Sequence, residues 1–381
     1  MTLAGLVLLG LGGVYAWHLT SFARGFRRAA RHSDLRPPAD PPPPLSVVVP
    51  ARNEEAAIGA CLDGLLAQDY PGPFEVIVVD DDSADATPDL VRARMARDDR
   101  LRLVQVPENR HRARAHKKAA VAKAVGAATG DIVLQTDADC HAPPGWARAM
   151  AGAFDTDDVA FVSGPVAYRL GPRAGLFRRL QAMDFFGVMA CGAGGIGLGR
   201  PNLANGASVG YRRDVFLALG GFDGIDHVTS GDDELLMQKI AYRTGHAVRF
   251  CADPAALVLT DPVATPQAWL SQRRRWASKT ASYPARLKGV IAGLGAFLAA
   301  LSVALPALLV VPLFWPWVAA ALGVKAAADL SVLVPAARRF GQARVLWALP
   351  AHLLVHAPLS VVVGVLGPFG RFEWKGRSLD R

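Results

Sequence analysis

Apolar residues follow two rhythms along this chain. At the ends they run almost unbroken, over Thr2–Leu19 and then over Val290–Val311, Leu313–Val334 and Val345–Gly367, with Pro312 and Pro316 marking a turn. Each run approaches the roughly 20 residues that cross a bilayer core as a helix. Between them the apolar stretches are short, β-branched and bounded by turn residues: Leu45-Ser46-Val47-Val48-Val49-Pro50, Phe74-Glu75-Val76-Ile77-Val78-Val79 and Ile132-Val133-Leu134. These predict buried strands. A helix is predicted from Ala51-Arg52-Asn53-Glu54-Glu55 to about Gln68, and another from the Thr87-Pro88 start signal. Strand, helix, strand is the opening of a parallel α/β sheet.

Acids stand at the tips of two predicted strands. Phe74–Val79 ends in Asp80-Asp81-Asp82-Ser83, and Ile132–Leu134 leads through Gln135-Thr136 to Asp137-Ala138-Asp139. No G-x-G-x-x-G follows the first strand and there is no P-loop lysine, so carboxylates rather than glycine amides meet any nucleotide. Asp80 and Asp81 can accept hydrogen bonds from a base or ribose. Asp137 and Asp139, one residue apart, suit a hard divalent cation holding a diphosphate, and equally a solvated strand-end turn.

Charge then places the body. Arg24, Arg27, Arg28 and Arg31 follow the first apolar run and none precedes it, which predicts an uncleaved anchor with its basic flank inside and the body in the cytoplasm, at the cell inner membrane of a multi-pass protein. Residues 1–22 are the anchor, 23–44 a basic and Pro-rich linker, 45–287 the catalytic body and 288–381 a membrane domain of about two to three helices with a basic tail. Counting crossings puts that tail outside, whereas Arg371, Lys375, Arg377 and Arg381 argue for inside; Pro350, His352, His356 and Pro358 offer a re-entrant last segment that reconciles the two. Lys325 and Asp329 stand one helical turn apart within the second carboxyl-side span, where a lone charge costs roughly 2.5–3.5 kcal/mol. With 51% hydrophobic residues and a net charge of +9, the basicity fits membrane flanks and a phosphate-bearing ligand rather than nucleic acid, since no zinc-finger or RNA-binding signature accompanies it. The four scattered cysteines predict neither a disulfide framework nor a cysteine metal cluster, and fit a reducing compartment.

The motifs taken together resemble the family 2 glycosyltransferases. Val49-Pro50-Ala51-Arg52-Asn53-Glu54, Val79-Asp80-Asp81-Asp82-Ser83-Ala84-Asp85-Ala86-Thr87 and Thr136-Asp137-Ala138-Asp139 look like that family's successive signatures, over roughly residues 45–280. The resemblance implies a GT-A fold, α/β with a Rossmann-like, mostly parallel sheet, an inverting transfer from a nucleotide-sugar donor and a Mg²⁺ or Mn²⁺ ion. It places Pro50, Arg52, Glu54, Asp80 and Asp81 on the donor, with Asp137 and Asp139 on metal and diphosphate. His116-Lys117-Lys118-Ala119-Ala120 resembles the family's Gly-Lys-x-x-Ala segment, so Lys117 is expected at the nucleotide, although His116 replaces the glycine. Asn205-Gly206-Ala207-Ser208 resembles the acceptor-side segment. In Ser230-Gly231-Asp232-Asp233-Glu234, Asp233 matches the family's base, with Asp232 beside the acceptor; both also suit a helix start.

Gln272-Arg273-Arg274-Arg275-Trp276 resembles the family's Q-x-x-R-W motif, just before the first carboxyl-side span. The resemblance sets Arg275 on the diphosphate and Gln272 and Trp276 at the acceptor, leaving Arg273 and Arg274 to face lipid phosphates. A basic interfacial helix is the plainer reading of that run, and a second is predicted over Arg173–Met189. Trp374-Lys375-Gly376-Arg377 resembles a tail motif of membrane members. The resulting expectation is a membrane-bound, metal-dependent hexosyltransferase moving one sugar, from UDP, onto a membrane lipid or lipid-linked acceptor. A processive synthase of the cellulose or hyaluronan type is the alternative, a non-catalytic scaffold a weaker one, and no nucleic-acid partner is expected.

Overall fold

The computed structural model describes residues 3–33, 41–106 and 115–366, with two short strands beyond them. Part of the Pro-rich linker and most of the basic tail, including Lys375-Gly376 of the tail motif, lie outside the described residues. In chain order the elements are α1 (Leu3–His32), β1 (Leu45–Ala51), α2 (Ile58–Leu66), β2 (Phe74–Asp80), α3 (Thr87–Met95), β3 (Leu101–Gln105), α4 (His116–Ala127) and β4 (Ile132–Gln135). They continue as α5 (Trp146–Gly152), β5 (Val159–Ser163), β6 (Val166–Tyr168), α6 (Leu176–Gly197), β7 (Val209–Arg212), α7 (Arg213–Ala218), α8 (Glu234–Arg243), β8 (Ala247–Phe250) and β9 (Val258–Thr260). The membrane-side elements are α9 (Pro266–Ala277), α10 (Ala285–Ala307), α11 (Trp315–Arg339) and α12 (Leu349–Leu366), before β10 (Phe372–Trp374) and β11 (Arg377–Leu379).

The main sheet runs β3-β2-β1-β4-β7-β5-β8. Its first four strands are parallel, and β7 is antiparallel to both β4 and β5. Two consequences fix the site. From β1 the chain winds outward through β2 to β3 and then returns to place β4 on the other side of β1, which leaves a crevice at the carboxyl ends of β1 and β4. Because β7 runs against β4, with Val209 opposite Gln135, the loop entering β7 lies beside the acids leaving β4. The predicted strands sit where the patterning put them, and their interior is fully buried, from Val47–Val49 through Val76–Val79 to Val133 and Leu134.

Several expectations are corrected. The predicted helix from Ala51 begins only at Ile58, because Asn53 adopts a left-handed φ of 51° and the backbone of residues 53–55 bonds across to the loop after β2. The basic flank of the anchor is not a linker: α1 continues unbroken to His32. Its buried stripe of Leu8, Gly12, Tyr15, Leu19, Ala23 and Phe26 packs on α6 and α11. That contact explains why α6 is not the interfacial helix expected over Arg173–Met189. It runs two turns past Met189 to Gly197, Phe185 and Phe186 are both buried rather than on alternating faces, and Gly194 and Gly197 admit the backbone of α1 near Gly25 so closely that a Cβ on any of the three would strike a neighbouring main-chain atom.

Among the described residues, four helices are long and apolar enough to cross a membrane: Leu3–His32, Ala285–Ala307, Pro312–Arg339 and Ala343–Val365. Inside them the Lys325–Asp329 pair closes at 2.5 Å, and the Tyr15 hydroxyl from α1 donates to the other Asp329 oxygen at 2.5 Å. The pair is therefore a three-way tie between α1 and α11.

Candidate active site

The acids expected at strand tips converge on the carboxyl edge of the sheet. Asp137, Asp139, Lys117, Asn205, Asp232, Asp233, Gln272, Arg275 and Trp276 all line one cavity of about 280 Å³. The structure thus brings together the tip of β4, the loop before β7, the start of α8 and the helix α9. Pro50, Arg52, Glu54, Asp80 and Asp81 sit at the same edge but outside that cavity. Asp80 and Asp81 are buried, and Asp82 takes a left-handed φ of 59° that turns the chain sharply off β2. Arg52 donates to the Asp81 and Asp82 carbonyls at 2.5 and 2.8 Å, so its guanidinium holds this acid loop in shape; the Glu54 amide donates to Thr87 Oγ1 at 2.8 Å and does the same from the other side.

Lys117 is no ordinary solvated helix lysine. Its Nζ stands 2.9 Å from Asp137 and 3.0 Å from Asp232, bridging the β4 and α8 acids across the cavity. Burial would lower the ammonium, but Asp137 and Asp232 together raise it, so it stays charged. Burial would likewise raise the Asp232 carboxyl, yet Lys117 and the Gln135 amide at 2.9 Å bring it down to about 2.

Asp233 both caps and faces the cavity. One oxygen accepts from the Glu234 amide and the other from the Gly206 amide, each at 2.7 Å. The cap and the placement at the cavity are therefore one arrangement, since the two bonds fix the carboxylate there and each oxygen keeps a second lone pair. Gly231, with φ of 79°, makes the turn that delivers it. Lys118 fixes the preceding segment by donating to the Ile225 and Val228 carbonyls at 2.7 and 2.8 Å.

On α9 the motif divides by helix face. Gln272 accepts from the Tyr168 hydroxyl at 3.2 Å. Tyr168 stacks on Phe185 at 4.3 Å, and Phe185 packs against Trp276 at 5.7 Å, which steadies the indole at the cavity wall. Arg275 lines the cavity, and no described side chain pairs with its guanidinium. Arg273 corrects the lipid-phosphate expectation. It is only 6% exposed, bonds Asp184 of α6 at 2.7 Å and lies over the Trp276 ring at 4.3 Å, so it locks α9 to α6.

Three residues of this site escaped the sequence reading. Glu234 is buried against the Tyr283 hydroxyl and the Lys279 ammonium, the latter 3.1 Å from Glu234 and 3.8 Å from Asp233. Lys279 lies seven residues beyond Gln272 on the same helical stripe, the one signal that could have found it. Burial, with Asp233 adding to it against the pull of Lys279, raises the Glu234 carboxyl to about 7. A raised folded-state value means the contribution to stability is full below the ordinary 4.5 and is lost as pH rises to about 7. Melting temperature is expected to fall over that window, and Glu234→Gln to flatten the decline; an unchanged slope in the variant assigns it to other groups.

A metal fits the β4 tip. Ligand atoms of Asp137, Asp139 and Cys140 lie within 4.8 Å of one another. Burial, followed by the charges of Asp137 and Asp139, pushes the Cys140 thiol well up, which leaves carboxylate oxygens as the donors and suits a hard cation.

Comparison with known proteins bears on the family and the fold. The pattern of glycosyl transferase family 2 matches residues 46–205, and that of glycosyl transferase family group 2 matches residues 132–363, well over half of the chain. The chain belongs to the family 2 glycosyltransferases. This glycosyltransferase is 29% identical to an N-acetylglucosaminyltransferase of Rhizobium meliloti (strain 1021) over 274 residues, 68% of this chain and 61% of that one. It is also 29% identical to the probable glycosyltransferase YdaM of Bacillus subtilis (strain 168) over 240 residues, 62% of this chain and 54% of that one. The glycosyltransferase thus spans about 60% of the length of the first relatives it matches. In fold it is similar to mannosyltransferase PcManGT from Pyrobaculum calidifontis, solved with GDP-Man and Mn²⁺, with a TM-score of 0.55 at 24% identity over 93% of this chain and 99% of that one. The sheet with its antiparallel β7 is the GT-A arrangement that the sequence motifs implied.

Proposed function

We propose that this glycosyltransferase is a membrane-embedded inverting enzyme, its catalytic body in the cytoplasm, that moves a single sugar from a UDP-sugar to a lipid or lipid-linked acceptor. The observation that carries the reading is the one cavity lined by Asp137, Asp139 and Asp233, with α9 at its wall and, after the Ser278–Ser282 turn, the first carboxyl-side membrane helix. The similarity to N-acetylglucosaminyltransferases supports an N-acetylglucosamine donor.

Asp137 and Asp139 would hold Mg²⁺ or Mn²⁺, which when bound supplies the positive charge that stabilises the departing diphosphate. Arg275 offers the same oxygens a bidentate fork, and Lys117 a further cation. Asp80 and Asp81, held by Arg52, receive the nucleoside. Asp233 takes the proton of the acceptor hydroxyl as its oxygen attacks the anomeric carbon from the face opposite the diphosphate; the bond to the diphosphate breaks with its electron pair leaving on the phosphate oxygen. Asp232, kept ionised by Lys117, and Asn205 border the acceptor, with Gln272 and Trp276 closing the wall.

The test is release of nucleoside diphosphate from a panel of UDP- and GDP-sugars by the detergent-purified full chain, with and without Mn²⁺ and with native lipid extract. Metal-dependent release from one donor, with one sugar on the lipid product, is the expected result. No turnover of any donor returns the scaffold reading, and products longer than one sugar return the processive one.

A further inference from the structure

A second cavity of about 250 Å³ lies between α1, α6, α10, α11 and α12, and two residues, Val188 and Leu203, line both it and the active-site cavity. Its walls are mostly apolar, from Leu19, Leu294, Leu298 and Leu333 among others. One patch is not. His352 and His356 of α12 stack at 4.5 Å, and His356 Nε2 lies 3.7 Å from Asp184. His352 is 7% exposed, and among the described residues neither of its ring nitrogens, nor Nδ1 of His356, has a hydrogen-bond partner. Buried polar atoms without partners are costly, so such a patch on a cavity wall marks a place for a ligand's polar atoms.

The charges around this patch say what kind of ligand. Asp184 is already paired with Arg273 at 2.7 Å, and Asp329 with Lys325 and Tyr15. Each pair is neutral, so the cavity carries no surplus cation for a phosphate, and the Asp184 oxygen that Arg273 leaves faces His356 Nε2 at 3.7 Å. What remains is a pair of imidazoles, each able to donate from one nitrogen and accept at the other. We propose that this cavity receives the apolar body of the acceptor, and that the acceptor is an uncharged lipid alcohol whose second oxygen, hydroxyl or carbonyl, is bound by His352 and His356. On this reading the reacting hydroxyl passes between Val188 and Leu203, which line both cavities, to reach Asp233 while the body stays among the membrane helices. This inference rests on the transferase reading above and goes further by excluding a lipid phosphate as the preferred acceptor.

The experiment uses the full chain in detergent with dioctanoylglycerol and dioctanoyl phosphatidic acid as probes, which share an apolar body and differ by the phosphate. Binding of each is measured by calorimetry, and transfer is measured with the donor that the wild type accepts. Dioctanoylglycerol is expected to bind at least 10-fold more tightly. Gly187→Leu is designed to fill the cavity, since a Cβ there stands 3.7 Å from Leu333 and leaves the helix backbone free. It should raise KM for the glycerolipid at least 10-fold while donor affinity with Mn²⁺ is unchanged. His352→Phe should do the same and His352→Gln should partly restore binding, which a purely structural histidine would not show. Preference for phosphatidic acid overturns the proposal, as does equal KM in Gly187→Leu. A stoichiometric metal ion lost with His352→Phe also overturns it, by making Asp184, His352 and His356 a cation site. A wild type that binds neither lipid but turns over donor refutes this inference alone; one that turns over no donor refutes the transferase reading, and lipid binding still decides the cavity.

Discussion

Asp233→Asn is expected to cut turnover about 100-fold or more while leaving donor affinity within about twofold, the signature of a lost general base. The fold should survive it. Asparagine caps a helix about as well as aspartate, so one amide bond to Glu234 or Gly206 is kept and the loss is about 1 kcal/mol. What asparagine cannot do is take the proton of an attacking hydroxyl. Steady-state kinetics with a titration of donor separates the two effects: a drop in kcat at constant donor KM supports the assignment, and near-normal kcat removes Asp233 from the role. The neighbour makes a sharp control. Asp232 already carries Lys117 and the Gln135 amide, which hold its carboxyl down and occupy its Oδ2 oxygen. Asp232→Asn should therefore act by releasing Lys117, changing donor affinity more than Asp233→Asn does.

Much of this architecture was legible because it depends on local pattern. The strands β1, β2 and β4 follow from short β-branched runs with acids at their tips, and four apolar helices follow from length. The candidate residues of the cavity were named from motifs, although those motifs span more than 130 residues of sequence. What was not legible is what long-range packing decides. Arg273 reads as an exposed base on a basic helix, but α6 presents Asp184 to it and buries it. Asn53 sits where a helix was expected, and pairing with the Ser83 hydroxyl and the Ala84 amide of the loop after β2 outweighs local helix preference. The role of Lys279 and Tyr283 behind Glu234 likewise needs the turn after α9 to fold back on α8. The helical run past Leu19 was missed because arginines end a membrane span without ending a helix.

Asp139→Ala addresses the metal half of the site. Asp139 is exposed at the tip beyond β4, between the buried Ala138 and Cys140, so truncating it should leave the strand and the core as they are. If it ligates the cation, donor affinity in Mn²⁺ should fall by at least about 10-fold, by analogy with the 10–100-fold that even outer-shell changes cost a metal site. Affinity in EDTA should be the same for both proteins, because Lys117 and Arg275 remain to meet the diphosphate. Calorimetry of nucleoside diphosphate binding to wild type and variant, each with Mn²⁺ and with EDTA, forms a closed cycle whose coupling reads the ligand role directly. A wild type that binds equally well in both conditions removes the metal from the donor site altogether. In that case Lys117, already seated between Asp137 and Asp232 at 2.9 and 3.0 Å, would be the resident cation of the diphosphate, and Lys117→Met would become the variant that loses the donor.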